Sequence, residues 1–242
     1  MTNAANIALD CRRVSARYGH ITVCRNISFH VNKGELVTVM GPNGAGKTSL
    51  MGYIAGTVTG SGDVVVAGKT ISNLPCYKRS QTGLRLVPEG RGLFAPMTVR
   101  QNLELGGRLA PENRRALLMQ RATELFPILK KRMDQTAGDM SGGEQQMLAV
   151  AKAIAGDPSV LILDEPTQGL APQVFGILRD ALLALKQDGM SIVLVEQRHA
   201  FAESVADRRI ILVGGRIVYQ GEERQPLGRD ELMAIYTKAE AA

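Results

Sequence analysis

Short apolar runs bounded by glycine, proline or acidic residues recur along the chain, and they fall into two periodicities. Ile27, Phe29 and Val31 alternate with polar neighbours, the pattern of a strand with one buried face, and residues 7–31 as a whole read as β structure. Asn32, Lys33 and Gly34 then supply a turn ahead of the mainly apolar run Leu36 to Met40. Residues 62–68, with three consecutive valines, and residues 84–87 read as further strands. Residues 160–163 and 192–195 are continuously apolar, as strands are when a parallel sheet is covered on both faces. Residues 209–213 and 216–220, joined by Gly214 and Gly215, read as a hairpin.

The second periodicity is helical. A helix is expected over 48–55, and from Met97 to about Gly156 the helical pattern dominates. Thr98 and Gln101 have capping-box spacing and open a helix through Leu105. Pro111 suits a first helical position, and Leu118, Ala122, Leu125 and Phe126 recur at the spacing of ordinary helical packing. A further helix is expected over 145–155, with Met147, Val150, Ala151 and Ile154 on one face, and a last one near 229–238. The sum is a single α/β core, 7–96 and 157–225, interrupted by a helical segment at 97–156 and followed by a C-terminal helix and tail at 226–242.

Composition narrows the function without choosing it. At 242 residues, 45% hydrophobic and 21% charged, the chain can bury a substantial core. A net charge of +6 implies mild attraction to anionic partners. Nucleic acid ranks last among these, because aromatics are only 4%, Trp is absent and no basic stretch is interleaved with aromatics. Cys11, Cys24 and Cys76 have neither metal nor redox spacing, which points to reduced cytosolic thiols. The first 13 residues lack a basic region followed by an apolar one, and no apolar run approaches the ~18 residues needed to cross a bilayer. Any membrane role is therefore expected to be peripheral.

The chemistry begins at Gly41-Pro42-Asn43-Gly44-Ala45-Gly46-Lys47-Thr48-Ser49, which fits the phosphate-loop pattern between a strand and a helix. Backbone N–H groups must converge on phosphate oxygens, and glycine permits that approach. The following helix adds its free N–H groups and the positive end of its dipole. Lys47 would neutralise the terminal phosphates and the Thr48 hydroxyl would bind Mg²⁺. A second element ends the run at 160–163 with Asp164 and Glu165, at the strand end where open parallel sheets bind ligands. There Asp164 is placed to hold Mg²⁺ and Glu165 to accept a proton from an attacking water. Ser141-Gly142-Gly143-Glu144 is locally a capping box, yet its two glycines leave a helix N-terminus bare enough to receive a phosphate from outside. Tyr18, in Ala-Arg-Tyr-Gly-His, reads alone as a turn or core residue.

In combination these motifs resemble the ATP-binding subunit of ABC transporters over residues 7–225, with Met140-Ser141-Gly142-Gly143-Glu144-Gln145-Gln146 similar to that family's signature. The resemblance implies a P-loop NTPase (RecA-like) α/β core with an N-terminal antiparallel β subdomain and a helical insertion. It also implies that Tyr18 stacks on adenine, Gly41 to Ser49 cradle the phosphates, Asp164 positions Mg²⁺ and Glu165 is the catalytic carboxylate. Two chains would sandwich two ATP molecules, with Ser141 and Gly143 touching the partner's nucleotide, and 97–156 would face two membrane permease subunits. Three positions depart from the common pattern: Glu89 stands where most members have Gln, Gln197 where most have a γ-phosphate-sensing His, and Ala171 where Asp is common. These departures resemble the second ATPase subunit of branched-chain amino-acid importers, which usually pairs with a different ATPase subunit and is served by a periplasmic or extracellular binding protein; a heterodimer and a homodimer both stay open for the pair formed here. Importers of urea or short amides and soluble iron–sulfur assembly ATPases are the alternatives. His199 is expected to be an exposed loop residue.

Overall fold

The computed structural model describes residues 6–222 and positions 231, 233–235 and 237. The chain opens with a long hairpin, β1 (Ile7–Tyr18) and β2 (Ile21–Asn32), and turns into β3 (Leu36–Met40), α1 (Lys47–Ala55), β4 (Thr59–Val66) and β5 (Lys69–Thr70). Then follow α2 (Cys76–Ser80), β6 (Leu84–Val87), α3 (Val99–Gly107), α4 (Arg115–Leu125), α5 (Pro127–Lys131) and α6 (Gly142–Ala155). The remainder is β7 (Val160–Asp164), α7 (Pro172–Gln187), β8 (Ser191–Val195), α8 (His199–Glu203), β9 (Arg208–Val213) and β10 (Arg216–Glu222). Half of the last expected helix lies outside the described residues, and the positions described there are helical.

Two sheets result. One is four-stranded in the order β2-β1-β4-β5, antiparallel throughout; the other is six-stranded in the order β10-β9-β3-β8-β7-β6. In the second sheet every pair is parallel except the β9–β10 hairpin at its edge. Every residue of β3, β7 and β8 is buried, and the two-residue period of a strand divides them cleanly between two cores. Val37, Val39, Val160, Ile162, Val193 and Val195 face α1 and the antiparallel sheet, whereas Leu36, Leu161, Leu163, Ile192 and Leu194 face the helices α3 to α7. This two-sided cover explains why the strands read as unbroken apolar runs rather than alternating ones.

The helical expectations hold with shifted boundaries. Thr98 accepts from the Gln101 backbone N–H while the Gln101 side chain accepts from Thr98 N–H, a complete capping box. Residues 112–114 form a 3₁₀ turn after Pro111 before α4 begins. Helix α6 starts at Gly142 rather than Gln145, because Ser141 is itself the N-cap. Three helices were not anticipated: the short α2 and α8, and the sixteen-residue α7, which has Pro172 in its first turn.

All three cysteines are free, with Cys11 and Cys24 buried and Cys76 exposed. Cys24 Sγ donates to the Gly46 carbonyl at 3.2 Å, beneath the phosphate loop, and burial pushes its thiol up to about 11. Its folded pKa lies above the unfolded value, so its contribution to stability is complete below the ordinary thiol value and disappears as the pH climbs through the folded one. From this residue we expect a loss of about 2–3 kcal/mol between pH ~9 and pH ~11. Urea titrations across that range check it: Cys24→Ala should flatten the pH slope, and an unchanged slope would assign the loss elsewhere.

Candidate active site

The phosphate-loop residues fold as they do because the loop is wedged between β2, β9 and the β9–β10 turn. Gly41, Gly44 and Gly46 have positive φ, and Gly46 (φ 98°) is the N-cap of α1. A Cβ at Gly41 would lie 2.1 Å from the Leu212 carbonyl of β9, and one at Gly46 would lie 2.5 Å from Cys24 Sγ, so both need glycine for space as well as for conformation. Gly215 N–H donates to the Ala45 carbonyl at 3.1 Å, fastening the loop to the β9–β10 turn. Helix α1 is buried along almost its whole length between the two sheets, which fixes the direction in which its N-terminus points.

A cleft of ≈370 Å³ opens over that N-terminus, lined by Val23, Asn43, Gly44, Gly46, Lys47, Thr48, Ser49, Glu89, Glu165, Gln168 and Gln197. The adjacency of β3, β8 and β7 brings the phosphate loop, Glu165 and Gln197 to the same end of the sheet. Lys47, 5% exposed, donates from Nζ to the carbonyls of Gly41 (3.0 Å) and Pro42 (3.1 Å) and lies 3.5 Å from Glu165 Oε1. Gln197 Nε2 donates to both carboxylate oxygens of Glu165 at 2.6 Å. Glu165 itself sits at φ 49°, a left-handed conformation unusual for a side chain of its size, and its N–H donates to the Val195 carbonyl at 2.9 Å. The carboxylate is thus held by Gln197 and Lys47, and the backbone that carries it by Val195.

Asp164, one residue earlier, is buried, and its Oδ1 has no hydrogen-bond partner among the described residues. Burial is the main force raising its pKa to about 6; Glu165 and Glu89 push the same way, while the Thr48 hydroxyl and the Lys47 charge oppose them. A buried carboxylate with an unsatisfied oxygen beside a threonine hydroxyl at a helix N-terminus fits a divalent cation. Mg²⁺ bound at Asp164 and Thr48 would supply charge neutralisation for the phosphates.

The cleft does not gather every expected residue. Tyr18 ends β1 with 53% of its surface exposed and does not line the cleft, which instead has Val23 of β2 on that side. Pro42 and Ala45 contribute through backbone only, as the acceptors already described. Ser141, Gly142, Gly143 and Glu144 also lie outside this cleft. There the capping box is complete: Ser141 N–H donates to Glu144 Oε2 at 2.9 Å and the Glu144 N–H to Ser141 Oγ at 3.3 Å, with Arg132 3.0 Å from the Glu144 carboxylate. His199 is not an exposed loop residue. It begins α8, half-buried, with Nδ1 3.0 Å from Glu203, and strand β8 ends before Gln197, so no strand face joins the two.

Three contributors escaped the sequence reading. Gln168 and Val23 carry no motif. Glu196, 1% exposed, accepts from the backbone N–H groups of Thr167 (3.0 Å) and Arg198 (3.3 Å), tying the loops after β7 and β8 together. Burial raises its pKa, against the hydrogen bonds from Thr167 and Arg198. Its only sequence signal was a carboxylate directly after the apolar run 192–195.

Comparison with known proteins agrees with this geometry. Residues 24–168 match the family model described as ABC transporter. The chain is 41% identical over 211 residues to the high-affinity branched-chain amino acid transport ATP-binding protein BraG of Pseudomonas aeruginosa, spanning 87% of this chain and 91% of that one. It is 34% identical over 221 residues to a probable branched-chain amino acid transport ATP-binding protein, LivF, of Archaeoglobus fulgidus, spanning 90% and 94%. Among solved structures, an ATP-binding subunit of an ABC transporter superposes with a TM-score of 0.82 at 26% identity, covering 96% of this chain and 99% of that one. The chain belongs to the ABC transporter family, as an ATP-hydrolysing subunit.

Proposed function

We propose that this subunit energises import of branched-chain amino acids through two separate membrane permease subunits, pairing with a second ATP-binding subunit on the cytoplasmic face of the membrane and served by an extracytoplasmic binding protein. The 41% identity to BraG supports the substrate class, and the departures at Glu89 and Gln197 point to the same subgroup. Among the described residues no helix is long and apolar enough to cross a membrane, which is consistent with attachment through partners. Residues 7–238 act as one ATP-binding domain, with 97–156 as the helical subdomain that meets the permeases.

The observation that carries the mechanism is the carboxylate of Glu165 fixed between Gln197 and Lys47 at the mouth of the phosphate loop. Tyr18 takes the adenine and the backbone of Gly41 to Ser49 the phosphates, with Lys47 exchanging its loop carbonyls for phosphate oxygens. Glu165 accepts the proton of the attacking water. Gln197 orients that carboxylate, and Glu89 faces it across the cleft. Thr48 and Asp164, with Glu89, would hold Mg²⁺, which would supply charge neutralisation for the phosphates. Ser141, Gly142, Gly143 and Glu144 complete the nucleotide site of the partner chain, not their own, which accounts for their distance from this cleft.

Two measurements check these assignments. A tagged chain recovered from detergent-solubilised membranes should bring down two polytopic permeases and a second phosphate-loop subunit; soluble partners alone would end the importer reading. Gln197→Ala should lower kcat about 10- to 100-fold, the value of hydrogen bonds to a charged group, with KM changed less. Gln197→His should add a titration near pH ~6.5 to the rate profile that the neutral amide does not give. An unchanged kcat and a flat profile in both variants would remove Gln197 from the site.

A further inference from the structure

A second cavity, ≈460 Å³, lies at the other end of the sheet and shares no lining residue with the nucleotide cleft. It is lined by the residues just before β7 and β8, Pro158 and Met190 among them, whereas Asp164 closes β7 at the opposite end, about 15 Å of strand away. Its wall is apolar: Leu118, Ile154 and Leu185 are buried, and Leu117 lines it with 61% of its surface exposed. Three parts of the fold meet here. Ala8 and Ala67 come from the antiparallel sheet region, Leu117 and Leu118 from α4 in the helical segment, and Leu185 from α7 of the core.

The rim is charged and unbalanced. Arg114 pairs with Asp157, and Arg121 donates from Nε (2.9 Å) and Nη2 (2.5 Å) to one oxygen of Asp188. Lys33 adds a third cation to these two acids, and among the described residues it has no ion-pair partner. An apolar chamber with one excess positive charge at its mouth complements a small amphipath bearing one negative charge. A zwitterion would leave that excess unanswered, and a neutral molecule would not use it.

We propose that this cavity is a second ligand site, for a medium-chain monocarboxylate whose tail packs among Leu117, Leu118, Ile154 and Leu185 and whose carboxylate sits at Lys33 and the rim arginines. A ligand there bridges the three parts of the fold, so it stabilises their packing while leaving the nucleotide cleft open. The site stands independently of the substrate assigned to the transporter.

Octanoate is the probe, added to the full chain and read by thermal unfolding and calorimetric titration. At about five times its Kd it should raise the unfolding midpoint by roughly 2–4 °C. Hexanoate should bind about tenfold more weakly, since each buried methylene is worth roughly a factor of four. ATP affinity should stay within about twofold with octanoate present. Leu117→Glu, at a position exposed enough to keep the fold, should abolish the shift, and Lys33→Glu, on an exposed turn, should weaken binding at least tenfold even if the first variant misfolds. The proposal fails if octanoate produces no shift, or if both variants bind it as the unaltered chain does. It also fails if 1-octanol or leucine binds as tightly, because the excess charge would then select nothing, or if octanoate competes with ATP.

Discussion

Glu165→Gln is expected to lower ATP turnover by about 10²–10⁴-fold, the usual contribution of a positioned general base, while ATP still binds. The substitution keeps the size and the hydrogen-bonding reach of the side chain but removes its ability to take a proton. Its surroundings make the comparison clean. Gln197 donates to both carboxylate oxygens, Lys47 lies 3.5 Å away, and the backbone at φ 49° aims the side chain into the cleft regardless of its charge. Binding should depend on the phosphate loop and Lys47 instead, because the loop amides, the N-terminus of α1 and one cation face the phosphates. The variant should therefore bind ATP with near-normal affinity and accumulate an ATP-bound dimer. Single-turnover hydrolysis set beside equilibrium nucleotide binding reads the two effects separately. Turnover within a factor of five of the unaltered chain would show that another group takes the proton.

The second large effect concerns a residue far from any motif. Arg79→Met is expected to destabilise the protein by about 3–5 kcal/mol and to lower the unfolding midpoint by roughly 10 °C or more. Arg79 is 5% exposed, and its guanidinium donates to four backbone carbonyls: Leu74 at 2.8 Å, Tyr53 at 2.5 Å, Ile54 at 3.1 Å, and Ser72. Tyr53 and Ile54 belong to the last turn of α1, where helical carbonyls run out of intrahelical donors and the cap Gly56 N–H reaches back to Gly52 and Tyr53. A buried cation at that end also complements the helix dipole. Methionine fills similar space but takes the donor away from the Ile54, Ser72 and Leu74 carbonyls, while the Tyr53 carbonyl keeps only the Gly56 N–H at 3.1 Å. Because α1 carries the phosphate loop at its other end, nucleotide affinity should fall as well. Arg79→Lys should recover only part of the loss, since one ammonium cannot reproduce the fork. Chemical denaturation of both variants checks the ranking; an Arg79→Met protein as stable as the unaltered chain would make the four contacts incidental.

Local motifs were legible where backbone physics is local. The phosphate loop is one contiguous stretch whose glycines answer to φ and to close approach, as Gly41 and Gly46 do. Capping boxes at Thr98 and Ser141 are set by a three-residue spacing, so both could be read directly; only the start of α6 shifted, because the N-cap precedes the helix it opens. Helix α7 was missed because its N-cap, Ala171, has no capping side chain to mark the start.

The sequence by itself determined the family of elements and the two chemical ends of the site. Apolar runs too short to cross a membrane and too continuous for a one-sided sheet require a covered parallel sheet, and a strand ending in Asp164-Glu165 places carboxylates at its binding edge. Only the tertiary structure decided which groups meet. The strand order β3-β8-β7 brings Gln197 to Glu165 across 32 residues of chain, seats Glu196 under two loops, and puts Val23 rather than Tyr18 on the wall of the cleft. It also opens the distal cavity, where α4, α7 and the antiparallel sheet approach one another without filling the space. Such pairings follow from sheet order and packing between distant segments, and neither periodicity nor spacing along the chain encodes them.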